Sequence, residues 1–258
     1  MTHKHAEPWP YPRWIAHRGA GKLAPENTLA SFEAGAGFGY QMFECDVKLS
    51  ADGVPFLLHD ATLERTTNAT ALLGSDASAV AGDHAWATLA TLDAGSWHSE
   101  GFVGTQLPTL AQIAHFCHSH SAVINLEIKA TPGLEARTGE VVANHAAELW
   151  KNAAVPPLLS SFDVPSLEAA GLVQPGLPRA LLLEDLWPGW LDTALRLRCV
   201  GVVCDQVLWD AASVAQVKAA GLRCLSYTVN EVNEVQRLLA LGIDCLITDR
   251  VDAFKPDA

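Results

Sequence analysis

The sequence predicts an α/β fold, a closed (β/α)8 barrel of the TIM type with a small insertion after its second strand. Three observations carry that prediction. Short apolar runs alternate with longer stretches of helical character. About eight such pairs fit the chain, which is the count and size of a closed barrel. One long interval breaks the rhythm, and only one.

The candidate strands are, in order, "WIAH" (14–17), "MFECDV" (42–47), "AVINLEI" (122–128), "PLLSSF" (157–162), "RALLLE" (179–184), "VGVVCD" (200–205), "RCLSYTV" (223–229) and "DCLITD" (244–249). They are apolar without clean alternation, as strands covered on both faces are. Between most of them lie amphipathic segments. "NTLASFEAGAGFG" opens on an Asn-Thr cap signal, while "SVAQVKAAG" and "EVQRLLALG" each end on glycine, a helix C-terminal signal. Short loops between alternating strands and helices imply a parallel sheet. A doubly wound open sheet is the structural alternative.

The long interval separates "MFECDV" from "AVINLEI". It begins with "DGVPFLLHD", a turn and a short hairpin strand. "ATLERTTNATALLGSDASAVAGDHA" follows with little periodicity. "PTLAQIAHFCHSHS" then reads as the missing helix, with Pro108 near its start. Residues 60–107 are therefore expected to form an insertion on the loop face, where long excursions shape or cover a site. No second core is expected, and residues 1–258 read as one barrel domain.

Composition narrows the partners. Lys and Arg number 17 against 29 Asp and Glu, a formal charge of -12. So acidic a surface repels a phosphate backbone, which argues against nucleic acid. Any cations that meet a phosphate must be local. The start, "MTHKHAEPWPYPR", has no apolar h-region and predicts no export signal. No apolar run approaches a membrane span. Cys45, Cys117, Cys199, Cys204, Cys224 and Cys245 form no C-x-x-C pair and lie mostly in apolar stretches. They are expected to be buried reduced thiols, which fits a cytoplasmic protein.

The active site of such a barrel lies at the carboxyl ends of its strands. His17 closes the first. Glu44 and Asp46 lie two apart near the end of the second, and Glu127 and Lys129 two apart at the third. Residues i and i+2 of a strand share a face. Three carboxylates would therefore converge, and a divalent cation is the usual way to hold them together. Oxygen-only ligands favour Mg²⁺ or Ca²⁺. His59 ends the run "PFLLH" as His17 ends "WIAH", so the two form a candidate acid/base pair. His3, His5 and the "HFCHSH" group read as surface. Arg18 and Lys129 supply fixed positive charge. Gly19 lets the chain turn beneath them. A metal, two cations and two histidines describe phosphoryl-ester cleavage.

Taken together, "HRG", "APENT", "FECDV", "DGVPFLLHD", "LDAGSW", "PTL" and "LEIK" occur in an order that resembles the glycerophosphodiester phosphodiesterases, in particular the small cytoplasmic bacterial form. The resemblance runs from about Trp14 to Asp249. It implies a (β/α)8 barrel and hydrolysis of glycerophosphodiesters, such as glycerophosphocholine or glycerophosphoethanolamine, to sn-glycerol 3-phosphate and an alcohol. It implies one divalent cation, with Glu44, Asp46 and Glu127 as ligands. His17 and His59 resemble the acid/base pair, read here as base and acid respectively. Arg18 and Lys129 resemble the phosphate contacts. Glu26 and Asn27 resemble a pair supporting the first loop, with Asn27 also a helix cap. The resemblance further allows the substrate's own neighbouring hydroxyl to attack, giving a cyclic phosphate that water opens. Where the family often carries Trp-Thr-Val-Asn, this chain reads "YTVN", Tyr227 to Asn230. Tyr227 and Phe162 are candidates for the substrate-binding wall, with core packing the competing reading for both.

Three rivals stand beside this. A phosphatidylinositol-type or sphingomyelin-type phospholipase on the same scaffold would work at membranes, for which no basic-aromatic surface is evident. A catalytically silent phosphodiester-binding barrel predicts a missing histidine or carboxylate. A sugar isomerase barrel has no use for the His-Arg-Gly corner.

Overall fold

The computed structural model describes residues 9–256. His3, His5 and most of the segment read for an export signal lie outside the described residues. β1 (Trp14–Ala16) is followed by α1 (Leu29–Gly37), β2 (Met42–Leu49) and the short β3 (Pro55–Leu57). After the insertion come α4 (Leu110–Ser119), β4 (Val123–Ile128), α5 (Glu135–Leu149), β5 (Leu158–Ser161) and α6 (Val164–Val173). The chain continues through β6 (Arg179–Leu183), α7 (Trp190–Arg196), β7 (Gly201–Asp205), α8 (Ala211–Ala219), β8 (Arg223–Tyr227), α9 (Val232–Leu241) and β9 (Cys245–Thr248). The insertion itself holds α2 (Ala69–Leu73) and α3 (Trp86–Leu89).

Eight parallel strands close on themselves. β1 pairs with β9 through Trp14–Leu246, Ile15–Ile247 and Ala16–Thr248, and with β2 through Ala16–Phe43. That closure excludes the open sheet. β3 stands outside the parallel set, antiparallel to the end of β2 through Val47–Leu57 and Lys48–Phe56, as the hairpin reading expected.

Strand alternation divides the buried residues between two cores. Ile15, Met42, Leu158, Leu182, Val203, Leu225 and Ile247 pack together as one cluster. Their strand neighbours, such as Trp14, Phe43, Leu126 and Leu159, pack with apolar residues of the helices in the other. Each buried aliphatic contributes about 1.5–3 kcal/mol. All six cysteines are buried and unpaired, as expected. His115, His118 and His120 are exposed. No helix among the described residues is long and apolar enough to cross a membrane.

Two sequence expectations need correction. Asn27 does not cap α1. Thr28 does, its hydroxyl accepting from the Ser31 amide, and the Asn27 side chain is engaged elsewhere. Pro108 lies near the start of α4 as expected, just before the cap, where Thr109 and Gln112 form a capping box. The insertion also has a small core of its own, built from residues such as Phe56, Leu58, Leu63, Leu89, Leu92 and Leu107. Its helices span only five and four residues, too short for a helical period to announce that core.

Candidate active site

The inward-facing series of each strand changes character where the strand ends. Two residues beyond Ile15 stands His17; beyond Met42, Glu44 and then Asp46; beyond Leu182, Glu184; beyond Val203, Asp205; beyond Leu225, Tyr227; beyond Ile247, Asp249. The alternation that packs the barrel interior thus aims polar groups into its mouth. His17, Arg18, Glu44, His59, Asn125, Glu127, Lys129, Phe162 and Tyr227 line one cavity of about 550 Å³. A second cavity of about 510 Å³ adjoins it and shares His59, Glu127, Lys129 and Phe162.

The acidic cluster forms as expected. Oxygens of Glu44, Asp46 and Glu127 lie within 4.8 Å of one another, and the three residues are only 3%, 1% and 8% exposed. Each carboxylate has a different electrostatic setting. Burial, together with the Asp46 and Glu127 charges, pushes Glu44 well above the usual carboxylate range. Burial and Asp46 push Glu127 up to about 7, although Lys129 opposes them. For Asp46 burial is outweighed by Arg18, Lys129, His59 and the Asn27 hydrogen bond, which hold it at about 2. One oxygen of the buried Glu44, Oε1, has no hydrogen-bond partner. An orphaned buried carboxyl oxygen in an all-oxygen cluster fits a hard divalent cation.

The first loop fixes two of these carboxylates. The Asn27 amide donates to Asp46 Oδ2 at 2.8 Å, and the Asp46 backbone amide donates to Asn27 Oδ1 at 3.1 Å. The Arg18 backbone amide donates to Glu44 Oε2 at 3.1 Å. Both Arg18 (φ 51°) and Asn27 (φ 59°) are left-handed, which asparagine tolerates and arginine adopts at a cost. Gly19 follows at φ 101°, and a Cβ there would come within 2.8 Å of the Phe32 amide nitrogen. Only glycine lets the loop lie this close to α1.

The cations converge on the same place. The Arg18 guanidinium donates to Glu26 at 2.8 Å and its Nε lies 3.4 Å from Asp46. Lys129 donates to Glu127 at 2.7 Å and lies 3.7 Å from Asp46. Its ammonium sits 5.4 Å from the centre of the Phe162 ring. Phe162 meets Tyr227 edge to face at 5.8 Å. The Tyr227 hydroxyl donates to the Leu183 carbonyl at 3.0 Å, so it is already engaged by the barrel.

Both histidines are held by a carboxylate through Nδ1. His17 Nδ1 lies 2.6 Å from Asp249 Oδ1, and its Nε2 lies 3.8 Å from Glu44. His59 Nδ1 lies 2.7 Å from Asp60 Oδ1. A carboxylate only accepts, so Nδ1 carries the proton and each Nε2 is left for chemistry. Burial lowers the His59 imidazole below its ordinary value, and Arg18 and Lys129 act in the same direction against Asp46.

Sequence reasoning missed Asp60, Arg65 and Lys48, and gave Asp249 and Asn230 no role. Asp60 was adjacent to a candidate histidine, which is the one local signal available. Lys48 was overlooked because β2 runs on past Val47; two residues beyond Asp46, it is buried and pushed down to about 8 by that burial.

Residues 17–253 match the glycerophosphoryl diester phosphodiesterase family. The chain belongs to that family. Membership makes it an enzyme, a phosphoric diester hydrolase. A glycerophosphodiester phosphodiesterase of Bacillus subtilis (strain 168) is 29% identical over 255 residues, covering 93% of this chain and 84% of its own length. One from Caldanaerobacter subterraneus subsp. tengcongensis is 29% identical over 240 residues, with 91% and 93% covered. Among solved structures, an Oleispira antarctica phosphodiesterase in complex with the product sn-glycerol-3-phosphate superposes with a TM-score of 0.84 at 32% identity, covering 94% of each chain. A glycerophosphodiester phosphodiesterase of Agrobacterium tumefaciens gives 0.77 at 25% identity, covering 95% of this chain and 99% of its own.

Proposed function

We propose that the protein is a divalent-cation-dependent enzyme of the cytoplasm that cleaves small glycerophosphodiesters, such as glycerophosphocholine and glycerophosphoethanolamine, to sn-glycerol 3-phosphate and an alcohol. The observation that carries this reading is two carboxylate-held imidazoles beside one three-carboxylate cluster, with Arg18 and Lys129 at the same cavity. The sn-glycerol-3-phosphate bound by the Oleispira relative supports the product assignment.

Glu44, Asp46 and Glu127 would hold the cation, which when bound supplies charge neutralisation at a phosphoryl oxygen. Arg18 and Lys129 grip the phosphate, Arg18 through its planar fork and Lys129 as a point charge. His17 Nε2 takes the proton from the attacking oxygen while Asp249 stabilises the imidazolium that forms. His59 Nε2 gives a proton to the departing alcohol. Phe162 and Tyr227 offer an apolar wall to the carbon skeleton.

The test is release of sn-glycerol 3-phosphate from glycerophosphocholine, first with EDTA and then with Mg²⁺ or Ca²⁺ restored. Release that stops with chelator and returns with metal is the expected outcome. Silence on every glycerophosphodiester with either ion would overturn the reading.

A further inference from the structure

The insertion sends one side chain back toward the catalytic groups. Arg65 rises from a turn that is otherwise anchored: Leu63, Thr66 and Thr67 are buried, and Thr62 bridges to Val80. The Leu63 amide donates to the Ala79 carbonyl, and the Thr67 hydroxyl to the Leu63 carbonyl. From that base the Arg65 guanidinium makes four hydrogen bonds to two carboxylates. It donates to Glu26 through Nη1 at 2.9 Å and Nη2 at 2.7 Å. It donates to Asp60 through Nε at 2.5 Å and Nη2 at 3.0 Å.

Each carboxylate holds a second group. Glu26 Oε1 also accepts from Arg18 Nη1, and Asp60 Oδ1 also accepts from His59 Nδ1. No other cation among the described ion pairs holds Asp60. We propose that Arg65 is a positioning residue that fixes the proton donor His59 and the phosphate contact Arg18 relative to one another, by gripping Asp60 and Glu26 with one planar fork. This rests on the roles given to His59 and Arg18 above. It also gives the insertion's small core a purpose: that core sets the height of one guanidinium.

Stability alone is a poor reason for the arrangement. The Arg65 side chain is 45% exposed, and exposed ion pairs contribute little to folding. A fork engaged on both edges does have geometric value, because small misplacements of catalytic groups cost rate steeply. Lysine could not replace it, having one ammonium and no plane.

The experiment compares Arg65→Gln and Arg65→Lys with the wild type, all as full chains with divalent cation, on two esters of glycerol 3-phosphate. One leaves as choline and needs a proton. The other leaves as p-nitrophenolate and does not. Arg65→Gln should lose turnover on the order of 10²-fold on the choline ester, lose far less on the nitrophenyl ester, and raise KM for both as Arg18 loosens. Arg65→Lys should behave like Arg65→Gln. Equal losses on the two esters with unchanged KM would mean a structural lesion and overturn the proposal, as would a lysine variant equal to wild type. Proton NMR supplies a readout independent of turnover. The His59 Nδ1–H signal should be visible in wild type and lost to exchange in Arg65→Gln, and its persistence there would overturn the proposal. Wild-type silence on both esters would instead refute the proposed function and leave the NMR comparison to decide the clamp.

Discussion

The two histidines reach the same local arrangement by opposite routes. His17 is paired with a residue 232 positions away, across the junction of β1 and β9. His59 is paired with its own neighbour, Asp60. The carboxylates differ as well. Asp249 is steadied by the neutral Asn230 amide at 2.9 Å, whereas Asp60 shares its charge with the Arg65 guanidinium. A base is helped by a partner whose charge remains free to stabilise the imidazolium it becomes. An acid is helped by a partner whose pull on that proton is weakened. The contrast supports His17 as base and His59 as acid in the proposed reaction.

The largest effects should come from removing the rings themselves. His17→Ala and His59→Ala should each lower turnover on an alkyl ester by a factor on the order of 10²–10⁴. Only the His59 variant should recover on the nitrophenyl ester, and recovery of the His17 variant instead would exchange the two roles. Smaller losses should follow from the partners. Asp249→Asn and Asp60→Asn should each cost about 10- to 100-fold, the range for a residue that orients another. Steady-state kinetics should find the Asp249 variant the weaker, because Asp249 balances the imidazolium that His17 becomes.

The smallest effect is on stability and depends on pH. Burial opposes the Asp249 charge, but hydrogen bonds from His17 and Asn230 hold its carboxyl at about 2. An ordinary unfolded aspartate titrates near about 3.9. The folded value is the lower one, so the stabilisation is complete above roughly pH 4 and is lost as pH falls through about 2. Asn230→Ala should raise that carboxyl, and urea midpoints should show a deficit that narrows between pH 4 and 2. A deficit constant down to pH 2 would mean that Asn230 contributes packing alone.

The strands were legible because a parallel barrel covers both faces of each one, and unbroken apolar runs ending on polar residues survive as a pattern in one dimension. Glu44, Asp46, Glu127 and Lys129 were legible for a related reason, since strand period alone assigns i and i+2 to one face. The reading failed where geometry depends on the third dimension. Nothing near Asp249 in sequence announces His17, and nothing near Arg65 announces Glu26. Asn27 carried a cap residue's identity, but its left-handed backbone and the buried Asp46 carboxylate claimed its side chain, and Thr28 took the cap. The insertion's core was invisible because turns, not helical repeats, bring Leu63, Leu89 and Leu92 together.

The contact between β1 and β9 has a kinetic consequence. Glu44, Asp46 and His59 lie on or just beyond a single hairpin, β2 and β3, with the Leu58 amide donating to the Asp46 carbonyl. Pairing so local closes a short loop and forms early, whereas the β1–β9 junction must wait for the whole chain. Assembly would therefore complete the hairpin's share of the candidate site before the barrel shuts, and His17 would be the last member to arrive. Native-state hydrogen exchange would see the same order reversed, the His17 and Leu246 amides losing protection in openings that leave the Leu58 amide closed.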